Sequence, residues 1–202
     1  MSEAPDPLRL AELLAARLCH ELVSPVGAIA NGVEILDEEP DFARDAGRLI
    51  AQSARDARRR LQFYRVAYGS IGEVTTELAR SVAAELFADG KVGCNWPDGE
   101  PALPGGWQKL VCNLLVVAAE CLPRGGEIRV EMAGATFAVV AAGPEARLPH
   151  PTEELLAGAA DPALLTPRTA QAAFVAALAR RLGVVVKPRL EGDGQVAFTV
   201  HR

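Results

Sequence analysis

Cys19-His20-Glu21-Leu22-Val23-Ser24-Pro25 lies inside a long amphipathic run that opens at Asp6-Pro7 and closes at Glu38-Glu39-Pro40-Asp41. Asp6 is the expected N-cap. Pro7 suits the first helical position, where its missing N–H leaves no hydrogen bond unmade. Leu8, Ala11, Ala15, Leu18, Leu22, Pro25, Ile29, Val33 and Leu36 recur at steps alternating mainly between three and four, which marks one apolar stripe on a helix. At about 100° per residue His20 is ~200° from both Leu18 and Leu22, so it points away from that stripe. Its same-face neighbours are Arg17, Ser24, Gly27 and Asn31. Ser24 and Gly27 are small and leave the imidazole open to an approaching protein, and Arg17 can meet an anion. Glu21 can accept a hydrogen bond from one ring nitrogen, which makes the other a better nucleophile. Pro25 has no N–H to offer the carbonyl of Glu21 and is expected to kink the helix, at a cost of ~3 kcal/mol. A helix that carries such a cost beside an open histidine suggests a shaped site. The plainer reading of the geometry is an ordinary solvent-exposed histidine.

A second helix is expected from Asp41 to Tyr68, with Ala46, Leu49, Ile50, Ala54, Ala57, Leu61, Tyr64 and Tyr68 on its apolar face. Its other face carries Arg44, Arg48, Arg55, Arg58, Arg59, Arg60 and Arg65. From Asp41 to Gly69 there are seven Arg against three Asp, net +4; from Asp6 to Glu39 there are two Arg against seven acids, net −5. The two helices thus complement each other in charge and in apolar stripe, and an antiparallel hairpin follows. A lone hairpin leaves an apolar flank on each helix uncovered. Two hairpins packed as a four-helix bundle remove that problem, so a homodimer is expected, the alternative being a hairpin docked on the rest of its own chain.

The chain changes character near Gly69-Ser70-Ile71-Gly72, which divides it into residues 1–69 and 70–202. Beyond that point helices alternate with short β-like runs. A helix is expected over most of Glu73 to Ala88, with a short strand at its start, then a strand over Lys91 to Trp96 and a strongly apolar helix over Gly106 to Cys121. Glu127 to Met132 and Phe137 to Ala141 read as paired strands joined near Gly134. Pro144 to Pro167 reads as irregular, with at most a short helix over Glu153 to Ala157. A last helix runs from Thr166 to Leu182, capped by Thr166, begun by Pro167 and ended by Gly183. Val184 to Leu190 and Gln195 to His201 close as a hairpin around Glu191-Gly192-Asp193-Gly194. The fold class is α+β.

Composition narrows the function. Half of the 202 residues are hydrophobic and 23% are charged, which is globular rather than disordered. A net charge of −5 argues against a general nucleic-acid binder. No apolar run reaches the ~18 residues of a membrane span, and the acidic, Pro-containing start does not read as a secretory signal. Cys19, Cys94, Cys112 and Cys121 show no CxxC spacing and read as small reduced thiols, in keeping with a cytoplasmic protein. With three histidines in all, few metal sites or triads are open to the chain. His150 between prolines and His201 at the end of a strand read as bland, and Trp96 and Trp107 as packing residues.

His20-Glu21-Leu22-Val23-Ser24-Pro25 resembles the H-box of sensor histidine kinases, His-Glu-Leu-x-[Thr/Ser/Asn]-Pro, and falls on the first helix of a hairpin as that box does. The resemblance implies that His20 is the phosphoacceptor, that Glu21 assists proton transfer and that Pro25 sets a kink. Trp107 to Ala118 resembles the N-box of the kinase ATP-binding domain, followed by a matching turn and strand, Pro123-Arg124-Gly125-Gly126-Glu127-Ile128-Arg129-Val130. But Val117 stands where that pattern has the Asn that holds Mg²⁺. Ala141-Ala142-Gly143-Pro144-Glu145 stands for Asp-x-Gly-x-Gly, with Ala141 replacing the adenine-binding Asp. Thr169-Ala170-Gln171-Ala172-Ala173 has no glycine where a phosphate-cradling Gly-rich loop belongs.

From about Leu8 to His201 the chain resembles the ChpT-type histidine phosphotransferases. That resemblance implies a dimeric four-helix bundle with a C-terminal α/β sandwich similar to a degenerate kinase ATP-binding domain, with no ATP and no cofactor of its own. It implies a shuttle: His20 takes a phosphoryl group from the receiver Asp of a CckA-like hybrid histidine kinase and passes it to CtrA-like and CpdR-like response regulators of the cell cycle. The partner receiver supplies the Mg²⁺. Arg17, Ser24, Pro25, Gly27, Asn31 and Arg168 are the expected partner contacts, Arg168 at the start of the last helix. No membrane or nucleic acid is expected. The Arg-rich second helix is either a docking face for an acidic receiver or a solvated face paired with the acidic first helix. Two alternatives stand: a non-catalytic adaptor that binds receivers, and an active ATP-dependent kinase, against which Val117, Ala141 and Glu145 speak.

Overall fold

The Asp6 side chain accepts the amide of Leu8 at 3.0 Å, with Pro7 next to it, and this cap starts α1 (Pro7–Glu38). A computed structural model of the protein describes residues 6–69, 74–99, 103–133, 136–159, 161–192 and 194–201. α1 continues through Pro25 to Glu38; a short 3-10 turn at Pro40–Phe42 then leads into α2 (Ala43–Tyr68). The helices approach closely at Gly32, where an added Cβ would lie 2.6 Å from Ile50 Cγ1. Ala46 and Ser53 are buried on α2.

The hairpin is covered differently at its two ends. Near its base, Leu10 and Leu13 of α1 join Phe63, Val66 and Ala67 of α2 in one core with the rest of the chain. Leu8, Ala11 and Ala15 of the expected stripe are exposed instead, because the base of α1 turns a different side to the C-terminal part. Away from the base, Val23, Val26, Val33 and Leu36 of α1, Phe42 of the 3-10 turn, and Leu49 and Leu61 of α2 remain exposed. The hairpin therefore docks on its own chain and still keeps an uncovered apolar flank. In length and composition α1 would pass as a membrane span, which a search for an unbroken apolar run does not reveal. It packs along α2 and carries ion-paired Arg17 and Glu21, as a helix in a protein bundle does.

The second part holds α3 (Thr76–Phe87), β1 (Val92–Asn95), α4 (Trp107–Glu120), β2 (Gly126–Ala133), β3 (Thr136–Ala142), α5 (Thr152–Leu156), α6 (Ala170–Arg181), β4 (Val185–Leu190) and β5 (Gln195–His201). The strands form one sheet in the order β1-β2-β3-β5-β4, in which only β1 and β2 run parallel. α4 packs on β2, β3 and β5 and also meets α2, α3 and α6. That enclosure explains its composition: Leu110, Val111, Cys112, Leu114, Leu115, Val117 and Ala118 are all fully buried. The β2 turn needs glycine at Gly126, whose φ is +143° and whose absent Cβ would sit 2.3 Å from the Ala142 carbonyl oxygen.

Thr75 caps α3 at Leu78, and Val74 and Thr75 form no strand ahead of it. The expected boundary at Ser70-Ile71-Gly72, the turn at Gly134 and Asp193 of the last hairpin lie outside the described residues. The last helix begins later than its sequence suggests. Thr166 and Thr169 bond each other's amides through their hydroxyls, and Thr169 Oγ1 also donates to the Leu164 carbonyl at 2.5 Å. These side chains hold a turn that competes with helix, so α6 starts at Ala170 and Arg168 sits in the turn before it. The four cysteines are free. Cys112 and Cys121 are buried, which pushes both thiols up to about 12, whereas Cys19 is exposed.

Candidate functional site

His20 is exposed on α1 and lines a cleft of about 470 Å³ with Ala16, Arg17, Glu21, Glu120, Pro167 and Arg168. The fold thus brings together four residues that the sequence singled out: Arg17, His20 and Glu21 from one helix, and Arg168 from a turn far along the chain. The face beyond the cleft is clear. Ser24, Gly27 and Asn31 are exposed, and an added Cβ at Gly27 would meet nothing within 4 Å. Pro25 is buried, so of the expected partner contacts it has no surface to offer; its place is inside the packing.

Glu21 does not turn to the imidazole. Its Oε2 is 2.5 Å from Nη1 of Arg60 on α2, and His20 makes no hydrogen bond among the described residues. The Arg60 guanidinium across the hairpin offers the carboxylate a charge-assisted hydrogen bond. Of the Arg-rich face, only Arg60 reaches an acid of α1 among the described residues. Arg48 and Arg59 pair instead with Asp45, Asp56 and Asp89.

Arg17 is also committed inside the molecule. Its Nη2 lies 2.7 Å from Oε1 of Glu120 at the end of α4, and its Nη1 donates to the Arg168 carbonyl at 3.1 Å. Burial pushes the Glu120 carboxyl up, with a smaller push from Glu21, while Arg17 and Arg168 oppose it. The Arg168 side chain is exposed at the mouth of the cleft.

A second contact joins the hairpin to α4 and α6. Tyr68 donates to Gln171 Oε1 at 2.5 Å; Gln171 Nε2 donates to Asn113 Oδ1 at 2.7 Å; and Asn113 Nδ2 donates to the carbonyls of Ala67 and Lys109 at 2.8 and 2.7 Å. Asn113 and Gln171 are wholly buried. Asn113 and Gln171 thus hold α2, α4 and α6 together. Val117 and Ala141 are fully buried in the core, and Glu145 pairs with Arg124 at 3.2 Å.

Sequence reasoning passed over Arg60, Glu120 and Gln171 as members of the site. Glu120 did carry a signal. It is the one acid in α4 and stands at the helix C-terminus, where the dipole disfavours a carboxylate, so a cation from elsewhere was called for.

Three comparisons place the chain among known proteins. Residues 76–194 match the family described as "Histidine phosphotransferase C-terminal domain". Protein phosphotransferase ChpT of Brucella abortus (strain 2308) is 36% identical over 187 residues, covering 89% of each chain. A solved structure of a bacterial phosphotransferase superposes with a TM-score of 0.85 at 33% identity, over 98% of this chain and 100% of that one. A histidine kinase domain from Erythrobacter litoralis EL346 matches over 96% of this chain and 94% of its own at 15% identity, with a TM-score of 0.43.

Proposed function

Because the chain belongs to the ChpT-type histidine phosphotransferases, we propose that it relays a phosphoryl group through His20, from the receiver Asp of a hybrid histidine kinase to the Asp of response regulators. The observation that carries this reading is the imidazole itself: exposed, free of hydrogen bonds within the described residues, and flanked by an open face at Ser24 and Gly27. A protein carrying an aspartyl phosphate can reach it in line.

In the uptake step the unprotonated ring nitrogen attacks phosphorus. The P–O bond to the receiver Asp breaks, its carboxylate leaves with the electron pair, and the ring sheds its N–H proton. Delivery reverses this: the next receiver's carboxylate attacks, the P–N bond breaks and the ring regains a proton. Such transfer depends on positioning and charge stabilisation. The receiver brings Asp and Mg²⁺. This chain brings His20 and the exposed guanidinium of Arg168 as a contact for an acidic receiver; Glu21, paired with Arg60 in the free chain, can serve the proton only once that pair opens on docking. Ser24, Gly27 and Asn31 form the surface on which the receiver rests. Neutral imidazole is the nucleophile, so acidification weakens uptake.

The upstream receiver is CckA-like and the downstream regulators CtrA-like and CpdR-like. The working unit is a homodimer, for which the uncovered flank of the hairpin speaks. ATP has no part in the relay, and the buried Asn113, Val117 and Ala141 support that reading.

The test is incubation with a phosphorylated receiver. Acid-labile, base-stable label on the wild type, formed without ATP and absent from His20→Ala, is the expected result. Labelling of the protein alone by ATP would mark it as a kinase, and no label from any receiver as an adaptor.

A further inference from the structure

Glu120 has no role in the chemistry above, yet it sits in the wall of the His20 cleft and costs energy to keep there. A carboxylate at a helix C-terminus faces an unfavourable dipole, and this one is largely withdrawn from water. What it gains is Arg17. With Nη2 on Glu120 and Nη1 on the Arg168 carbonyl, the Arg17 guanidinium is fixed at both ends. The same contact ties α1, which carries His20, to the Thr166–Thr169 turn, which carries Arg168.

We propose that Glu120 is a positioning residue for phosphoryl transfer: it anchors Arg17, and through the Arg17–Arg168 hydrogen bond it sets where the Arg168 guanidinium stands relative to His20. The Arg168 side chain itself is exposed and unpaired by any carboxylate among the described residues, so its backbone is the only part held. The turn is already stiffened from within by Thr166 and Thr169, and Arg17 fixes that stiff unit against the helix. A receiver meeting this surface therefore finds His20 and Arg168 at a preset spacing, although the two are far apart in sequence. The inference rests on the phosphotransfer reading of His20.

The experiment measures single-turnover transfer from a phosphorylated receiver to the full chain, for wild type, Glu120→Gln, Arg168→Ala and the double variant, with urea unfolding of each. Glu120→Gln keeps the size of the side chain and removes its charge. A rate lower by about fivefold is expected, since small displacements of a positioning group slow such reactions. The decisive readout is coupling: in the Arg168→Ala background the Glu120 substitution should have no further effect. A merely structural loss would instead multiply with that of Arg168→Ala, and would overturn the proposal, as would wild-type transfer by Glu120→Gln. Should Glu120→Gln not fold, Glu120→Asp enters the same cycle with the same two outcomes. If the wild type itself accepts no phosphoryl group, the relay reading falls first and this inference with it.

Discussion

The Tyr68 hydroxyl donates to Gln171 Oε1 at 2.5 Å, joining the last turn of the hairpin to the first turn of α6. Gln171 passes the contact on to Asn113, and neither amide has any exposure to water. Polar groups buried so deeply must be satisfied as a set. Gln171→Ala strands the Tyr68 hydroxyl and Asn113 Oδ1 together and is expected to cost about 2–4 kcal/mol; Tyr68→Phe strands only Gln171 Oε1 and should cost about 1–2 kcal/mol. Urea unfolding followed by circular dichroism checks both, and equal costs would contradict the network.

Gly126 and Gly27 make opposite predictions from one substitution. At Gly126 the backbone has φ +143° and a Cβ would strike the Ala142 carbonyl at 2.3 Å, so Gly126→Ala is expected to cost more than about 3 kcal/mol. At Gly27 the helix is regular and the space is empty, so Gly27→Ala is expected to stabilise by about 0.5–1 kcal/mol. Thermal unfolding midpoints should move in opposite directions.

Much of this was legible in the residues. Asp6-Pro7 announced the start of α1, the apolar run from Trp107 announced a buried helix, and each described strand was visible as a β-rich segment. The failures share a cause. A stripe tells which face of a helix is apolar but not what covers it: α1 buries Leu10 against the sheet domain while Val33 on the expected stripe stays open. Thr166-Pro167 is a good helix start by composition, and only the reciprocal bonding of Thr166 and Thr169 turns it into a separate turn. At the site, His20 and its open face could be read from spacing. The Arg17–Glu120 and Arg60–Glu21 pairs could not, because each depends on which helix lies opposite.

Glu120 gives a pH signature in stability. Burial raises its pKa above the ordinary 4.5, so the folded chain holds this proton to higher pH than the unfolded chain does. Stability from this group is therefore present below 4.5 and declines as pH climbs through the raised pKa. Chemical denaturation of wild type and Glu120→Gln at a series of pH values isolates the effect. The wild type should lose stability relative to the variant as pH rises from 4.5. A difference that is flat, or of opposite sign, would show that Arg17 outweighs burial.

Gly27 also separates docking from folding. Gly27→Leu fills empty space on the face of His20, and leucine is the better helix former by roughly 0.8 kcal/mol, so the fold should not suffer. The added side chain stands on the face proposed for the receiver, and transfer to His20 is expected to slow by about tenfold or more, since misplacing reacting atoms by about an ångström can cost about a hundredfold. The measurement is transfer rate beside unfolding midpoint. Unchanged transfer would move the docking surface off this face.

The uncovered flank of the hairpin predicts how the protein assembles. Val26, Val33 and Leu36 of α1 and Leu49 and Leu61 of α2 face water in a single chain, an apolar flank of the kind that marks an interface. Pairing with a second hairpin would bury them. An aspartate at Val33 would then have to leave water on association, a cost of several kcal/mol for an unpaired charge, whereas in the monomer it would simply be solvated. Val33→Asp should accordingly halve the mass measured by light scattering at micromolar concentration while leaving each chain folded. Wild-type stability should rise with protein concentration, and that of the variant should not. A wild-type mass of one chain under the same conditions would refute the dimer, and would leave the exposed flank to some other protein.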